Sequence, residues 1–184
     1  MEGKKHLVCP MRVAGLLDSR FRKLFQNPNK ILKPYIIKGI TALDIGCGPG
    51  VFSIEIAKLL EGTGKVISVD MQEGMLEIIK NKISGTAIEN QIVLHKCTQD
   101  SLNLKENVDF ILLFYMIHEV PNKDKFFKEV LPLMNKNGLL MIVEPGLISK
   151  KEFNGMINNI KQYGFEEHAK LIIVLSKGIV LKKL

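Results

Sequence analysis

The stretch ALDIGCGPG, Ala42 to Gly50, decides how the rest of the chain is read. An apolar run takes in one acid, Asp44, and passes into three glycines, Gly46, Gly48 and Gly50, at every second position. The pattern predicts a buried strand followed by a bare turn. Glycine permits positive φ and removes the Cβ that would hold a ligand off the backbone. A helix starting beyond it offers N–H groups without intrahelical partners. A turn built for a pyrophosphate reads G-x-G-x-x-G, and here the position three after Gly48 is Val51. Asp44 would also repel a pyrophosphate. It suits a ligand carrying an ammonium group or a cation.

Outward from this turn the chain alternates short apolar runs with helical periodicity. TALDI (Thr41–Ile45) reads as the first strand. VFSIEIAKLL (Val51–Leu60) places Phe52, Ile56, Leu59 and Leu60 on one helical stripe, and Gly62 and Gly64 end it. KVISVD (Lys65–Asp70) is a second strand and EGMLEIIKNKI (Glu73–Ile83) a second helix. QIVLHK (Gln91–Lys96) is a third strand. VDFILLFY (Val108–Tyr115) is continuously apolar after its acid, as in a central strand covered on both faces. KDKFFKEVLPLM (Lys123–Met134) is a helix that Pro132 should kink or end. NKNG (Asn135–Gly138) reads as a turn before a fifth strand, LLMIVE (Leu139–Glu144). SKKEFNGMINNIKQYG (Ser149–Gly164) opens on a serine N-cap and closes on a glycine. AKLIIVLS (Ala169–Ser176) and GIVLKKL (Gly178–Leu184) are spaced to pair as a hairpin.

Strands alternating with helices predict an α/β fold with a mostly parallel sheet and helices on both faces. The hairpin would add an antiparallel edge. The 184 residues are enough for one domain, 1–184, with a core over 41–184. Residues 1–40 precede the first strand, and RVAGLL (Arg12–Leu17) and NKILKPYI (Asn29–Ile36) within them read as short amphipathic helices forming an N-terminal lid.

Composition narrows the function. Hydrophobic residues at 46% and charged residues at 24% are ordinary for a soluble globular protein. The longest apolar run, FILLFYMI (Phe110–Ile117), is too short for a membrane span. The N-terminus has no signal-peptide core. Three cysteines, Cys9, Cys47 and Cys97, make an odd set without zinc-site spacing. No metal site is expected. These features point to a cytoplasmic protein. The net charge of +7 leaves open a solvated basic surface or an RNA-binding face, with short basic patches at RFRKLF (Arg20–Phe25) and LKKL (Leu181–Leu184).

LDIGCGPG resembles the first motif of the class I S-adenosylmethionine-dependent methyltransferases. VISVDMQEGML (Val66–Leu76) resembles their second motif. The segment from Val108 to Pro145 resembles the branch that includes the ubiquinone/menaquinone and arsenite methyltransferases. The resemblance covers roughly residues 30 to 146 and keeps the motifs in order. It implies a Rossmann-like doubly wound sheet. It also implies S-adenosylmethionine as cofactor and S-adenosylhomocysteine as product.

The resemblance further implies roles. Asp44 lies near the cofactor's amino group. Gly46, Cys47 and Gly48 carry its methionyl part. Asp70 holds both ribose hydroxyls, a bidentate task that suits a carboxylate. Met71 packs on the adenine, or serves as ordinary core. After strand three the family's Gly-Asp-Ala is replaced by KCTQDSLNL. Counting from the strand aligns Thr98 with the acid and Gln99 with the residue whose N–H meets the ring. A shift of two residues puts Asp100 there instead. After strand four, Phe114 and Tyr115 lie near the sulfonium, which aromatic faces stabilise. His118 stands as a general base, a substrate contact or a structural histidine. His118 and Tyr115 are the candidate catalytic residues, and Glu144 sits at the same rim.

The methyl group of such a cofactor is already activated, so the protein mainly aligns and desolvates. The expected reaction is in-line transfer to an unidentified acceptor, a small molecule in the leading reading. An RNA methyltransferase or a basic RNA-binding protein on the same fold is the alternative. A thiophilic, arsenite-like acceptor meeting Cys9 and Cys97 is a third reading. A dinucleotide-dependent reductase is disfavoured by Asp44 and Val51. Oligomeric state is not legible.

Overall fold

The computed structural model describes residues 26–184. Seven strands form one sheet in the order β3-β2-β1-β4-β5-β7-β6. They are β1 (Thr41–Ile45), β2 (Lys65–Asp70), β3 (Ile92–Lys96), β4 (Val108–Phe114), β5 (Met134–Pro145), β6 (Phe165–Leu171) and β7 (Ser176–Lys183). The helices are α1 (Pro28–Leu32), α2 (Val51–Leu59), α3 (Glu73–Ile83), α4 (Lys123–Val130) and α5 (Lys150–Lys161). Strands β1 to β5 run parallel, and β7 pairs antiparallel with both β5 and β6.

The apolar residues of each strand point alternately to two faces, and each face has its own core. On one, Leu32, Phe52, Ile56, Ile79 and Ile83 from α1, α2 and α3 pack with Ala42, Phe110 and Leu112. On the other, Phe127 and Val130 of α4 and Phe153, Ile157 and Ile160 of α5 pack with Leu43, Ile111 and Leu113. Helices on both faces explain why β4 is continuously apolar. Full burial of a Leu or Phe contributes roughly 1.5–3 kcal/mol, so this central strand is a large part of the stability. This is the doubly wound Rossmann-like architecture expected from the sequence.

The departures have local causes. The helix expected over 123–134 stops at Val130 and tightens into a 3-10 turn over Leu131–Leu133, because Pro132 has no N–H to continue it. The NKNG segment does not separate two elements; it bulges inside β5. Between the pairs Val108–Met134 and Phe110–Leu139, β4 advances two residues and β5 five, and Asn137 sits at φ 65°. Leu60, Phe52 and Ile56 are buried as the stripe requires, whereas Leu59 is half-buried. The hairpin is displaced: the expected first run, 169–176, supplies the end of β6, then the tip, where Ile172 and Leu175 are exposed, and at Ser176 the start of β7.

Residues 28–40 of the expected lid pack beside α2, with Leu32 and Ile36 buried and Asn29 Nδ2 donating to Glu55 Oε1 at 2.7 Å. RVAGLL, RFRKLF and Cys9 lie outside the described residues. Among the described residues, no helix is long and apolar enough to cross a membrane.

Candidate active site

Parallel strands aim their C-terminal ends at one edge, and the strand order reverses between β1 and β4 there. Ligands of such sheets bind at that crevice. The glycine turn closes it on one side. Gly46 and Cys47 donate their N–H groups to Val69 O at 2.8 and 3.0 Å, which folds the loop back over β2. Gly46, Gly48 and Gly50 have φ of 70°, 51° and 82°. A Cβ on Gly50 would stand 2.6 Å from Ile79 Cγ1, whereas one on Gly48 would meet nothing within 4 Å. Gly50 is thus required by packing, and Gly48 leaves open space in a residue that lines the cavity.

Two carboxylates frame this turn. Asp44 is 2% exposed and accepts a hydrogen bond from Ser53 Oγ at 2.6 Å. Burial pushes its carboxyl up to about 7; the Ser53 hydrogen bond opposes this and the charge of Asp70 adds to it. Asp70 ends β2, where Oδ2 accepts from Gly48 N and Oδ1 from Gln72 N, both at 2.9 Å. Each oxygen keeps further acceptor capacity. Burial raises this carboxyl too, against the backbone hydrogen bonds from Gln72, Gly48 and Met71. Met71 is half-buried against the core.

The loop after β3 is a closed turn. Thr98 N donates to Ser101 O at 3.0 Å, and Ser101 N to Thr98 Oγ1 at 3.2 Å. Glu129 of α4 anchors it, accepting from Ser101 Oγ and Leu102 N at 2.7 Å each. Asp100 is largely exposed and lies 3.4 Å from Lys125 Nζ. Thr98, Gln99 and Asp100 all line the cavity, so the structure brings both alignments of this loop to the same wall.

Beyond β4, Phe114 packs on Phe52 with ring centroids 4.1 Å apart and on Tyr115 at 4.7 Å. Tyr115 has φ 57°, a left-handed conformation that costs a non-glycine residue about 1–3 kcal/mol and clusters at functional sites. Its hydroxyl lies 2.5 Å from Ser176 Oγ and accepts from Gln26 Nε2, which ties the start of the described chain to β7. In the next turn His118 Nδ1 is 2.7 Å from the buried Glu144 Oε2.

These elements enclose one cavity of about 560 Å³, reached by Asp44, Gly48, Asp70, Phe114, Tyr115 and His118. That lies within the roughly 300–1,000 Å³ of small-molecule sites. Cys47 and Cys97 line it as well. Burial, followed by the charge of Asp70, pushes the Cys97 thiol up to about 11. Burial also raises Cys47 well above the usual thiol range. Burial thus disfavours the thiolate at both, and Cys9, the other thiol of the arsenite-like reading, lies outside the described residues.

Ser53, Gln72 and Glu129, which no motif in the sequence singles out, hold the candidate residues in place. Ser53 carries a signal in retrospect, since the first turn of a helix after such a loop faces the preceding strand end. Glu129 and the pairing of Glu144 with His118 span 27 and 26 residues, and nothing local announces them.

The family model described as "Methyltransferase domain" matches residues 36–179. The demethylmenaquinone methyltransferase of Lactobacillus johnsonii is 28% identical over 146 residues, 77% of this chain and 56% of that protein. A ubiquinone/menaquinone biosynthesis C-methyltransferase of Haemophilus ducreyi is 26% identical over 129 residues, 70% of this chain and 49% of that protein. The chain spans about half the length of these curated relatives. The crystal structure of a SAM-dependent methyltransferase from Aquifex aeolicus superimposes with a TM-score of 0.85 at 21% identity, covering 96% of this chain and all of that one, which shows a shared fold. The chain belongs to the methyltransferase-domain family, whose membership implies S-adenosylmethionine as cosubstrate.

Proposed function

We propose that this protein transfers a methyl group from S-adenosylmethionine to a small-molecule acceptor. One observation carries the reading. A single cavity joins the carboxylate-and-glycine end, at Asp44, Gly48 and Asp70, to the aromatic and histidine end, at Phe114, Tyr115 and His118.

The residues fit the cosubstrate. Asp44 is a buried carboxylate suited to an ammonium group, and the open space at Gly48 admits a methionyl chain on the backbone of Gly46, Cys47 and Gly48. Asp70 is held by two N–H groups with capacity left for two hydroxyls. Met71 offers an apolar face for the adenine. Thr98, Gln99 and Asp100 supply its polar contacts. S-adenosylmethionine brings a methyl group already activated on a sulfonium. The chain's own task is to orient that group, exclude water and stabilise the positive charge with the faces of Phe114 and Tyr115. His118 and Tyr115 border the place where the acceptor must lie.

An acceptor that fits this cavity is a small molecule, as are those named for the curated relatives. The test is turnover in a mixture of small metabolites against a mixture of RNAs, read as S-adenosylhomocysteine formed. Formation with the small molecules alone supports the reading. Formation with RNA alone would overturn it, and the net charge of +7 would then mark the acceptor surface.

A further inference from the structure

Glu144, near the end of β5, is 2% exposed. A carboxylate so buried is costly unless its oxygens are hydrogen-bonded. Here Oε1 accepts from Ile117 N at 3.0 Å, and Oε2 lies 2.7 Å from His118 Nδ1. Ile117 and His118 belong to one 3-10 turn beyond β4, Ile117–Glu119. One carboxylate therefore fixes both the backbone of the turn and the imidazole.

A carboxylate on Nδ1 keeps the proton at that nitrogen, and the neutral ring then offers Nε2 as an acceptor. Nε2 makes no hydrogen bond among the described residues; Glu119 Oε1 stands 4.0 Å away. His118 lines the main cavity, and its basicity is raised first by the Glu144 hydrogen bond. Burial opposes this, the charges of Glu144 and Glu119 add to it, and Lys123 of α4 counters them.

We propose that Glu144 is the positioning residue of a proton-accepting pair, that His118 Nε2 takes the proton, and that the methyl acceptor is a protic nucleophile: a hydroxyl, a thiol or an acidic carbon. The inference rests on the methyl-transfer reading above and goes beyond it in naming the acceptor class. The acceptor's bond to hydrogen breaks and its proton passes to Nε2. The electron pair left behind forms the bond to the methyl carbon. The carbon–sulfur bond breaks with its pair returning to sulfur, which becomes the neutral thioether of S-adenosylhomocysteine. The imidazolium then releases its proton to solvent. An acceptor with no proton to lose gains nothing from the pair.

Two measurements test this in the full chain. Long-range proton–nitrogen NMR of the S-adenosylhomocysteine complex reads the tautomer and titration of His118. Wild type should show the Nδ1-protonated tautomer titrating above the free imidazole, and Glu144→Gln should move the titration down. Turnover is then compared for phenol, thiophenol and acetylacetone against dimethyl sulfide and N,N-dimethylaniline. Methylation should be confined to the first set and fall by about 100-fold or more in His118→Gln. In Glu144→Gln, kcat should fall about 10-fold with KM unchanged, and the rising limb of the pH profile should move to lower pH. A His118 titration indifferent to Glu144→Gln, methylation of the second set, or inertness of the first set with S-adenosylhomocysteine bound would each overturn the inference alone. Failure to bind S-adenosylhomocysteine would instead remove the reading beneath it.

Discussion

Asp44 should couple cosubstrate binding to proton release. Its carboxyl is buried, holds one hydrogen bond from Ser53, and titrates at about 7 instead of the ordinary 3.8. Moving the carboxyl from 3.8 to about 7 links roughly 4 kcal/mol of folding free energy to its proton. The sign is that of an acid with a raised folded-state value. The folded protein binds the extra proton, so stability is greatest below the unfolded value and is lost as pH rises from about 4 to about 7. A ligand ammonium needs the ionised carboxylate. At pH 6, ten in eleven molecules are protonated, so binding should release about 0.9 proton per ligand. Below pH 7 the affinity should fall about tenfold per pH unit, while the ligand's α-amino group, titrating near 7.7–8.0, stays charged. The assay is calorimetric titration with S-adenosylhomocysteine from pH 5.5 to 7 in two buffers of different ionisation enthalpy. Asp44→Asn should bind at least tenfold more weakly at pH 7, release no proton through this site, and be more stable than wild type at pH 8. A wild-type affinity flat across this range, with no buffer dependence, would refute the reasoning.

Four further outcomes follow from the geometry. Gly48→Ala puts an L side chain at φ 51°, so it should cost about 1–2 kcal/mol of stability, and the folded fraction should no longer bind S-adenosylhomocysteine, because the Cβ enters open space at the cavity wall. Gly64→Ala should cost more stability and spare the site: at φ 70° its Cβ would also stand 2.2 Å from Ile40 O, so thermal unfolding should show a loss above about 1–2 kcal/mol while the folded fraction still binds. Glu129→Ala removes the acceptor of two hydrogen bonds at 2.7 Å and should loosen residues 98–102, seen as faster amide exchange there and weaker ligand binding. Cys97, titrating at about 11, should react slowly with iodoacetamide at pH 8 and speed up steeply toward pH 11, as followed by peptide mass mapping.

The fold was largely legible because its signals are local. Each parallel strand is a short apolar run, each helix has its stripe, and the glycine turn marks where β1 meets α2. The errors fall where pairing across the sheet overrides local chemistry. NKNG reads as a turn, but pairing of Met134 with Val108 draws it into β5 as a bulge. The apolar run 172–175 reads as strand and becomes the hairpin tip, because β7 takes its register from β5. In the site, Asp44 and the glycines are legible because one strand–turn–helix unit sets their geometry, and Asp70 because it ends the next strand. The supports were not. Glu129 reaches the 98–102 loop from the far end of α4, and Glu144 reaches His118 from a neighbouring strand. The loop after β3 offered two alignments, and the closed Thr98–Ser101 turn places both at the cavity.

Methyl transfer by this chain requires that the framed cavity take the cosubstrate. Calorimetric titration of the full chain with S-adenosylmethionine at pH 7.5, beside Asp70→Ala, tests it. Wild type should bind at one site per chain. Affinity should fall at least tenfold when the carboxylate held by Gly48 and Gln72 is removed. A folded wild-type protein that gives no binding, or an Asp70→Ala variant that binds as tightly as wild type, would contradict it.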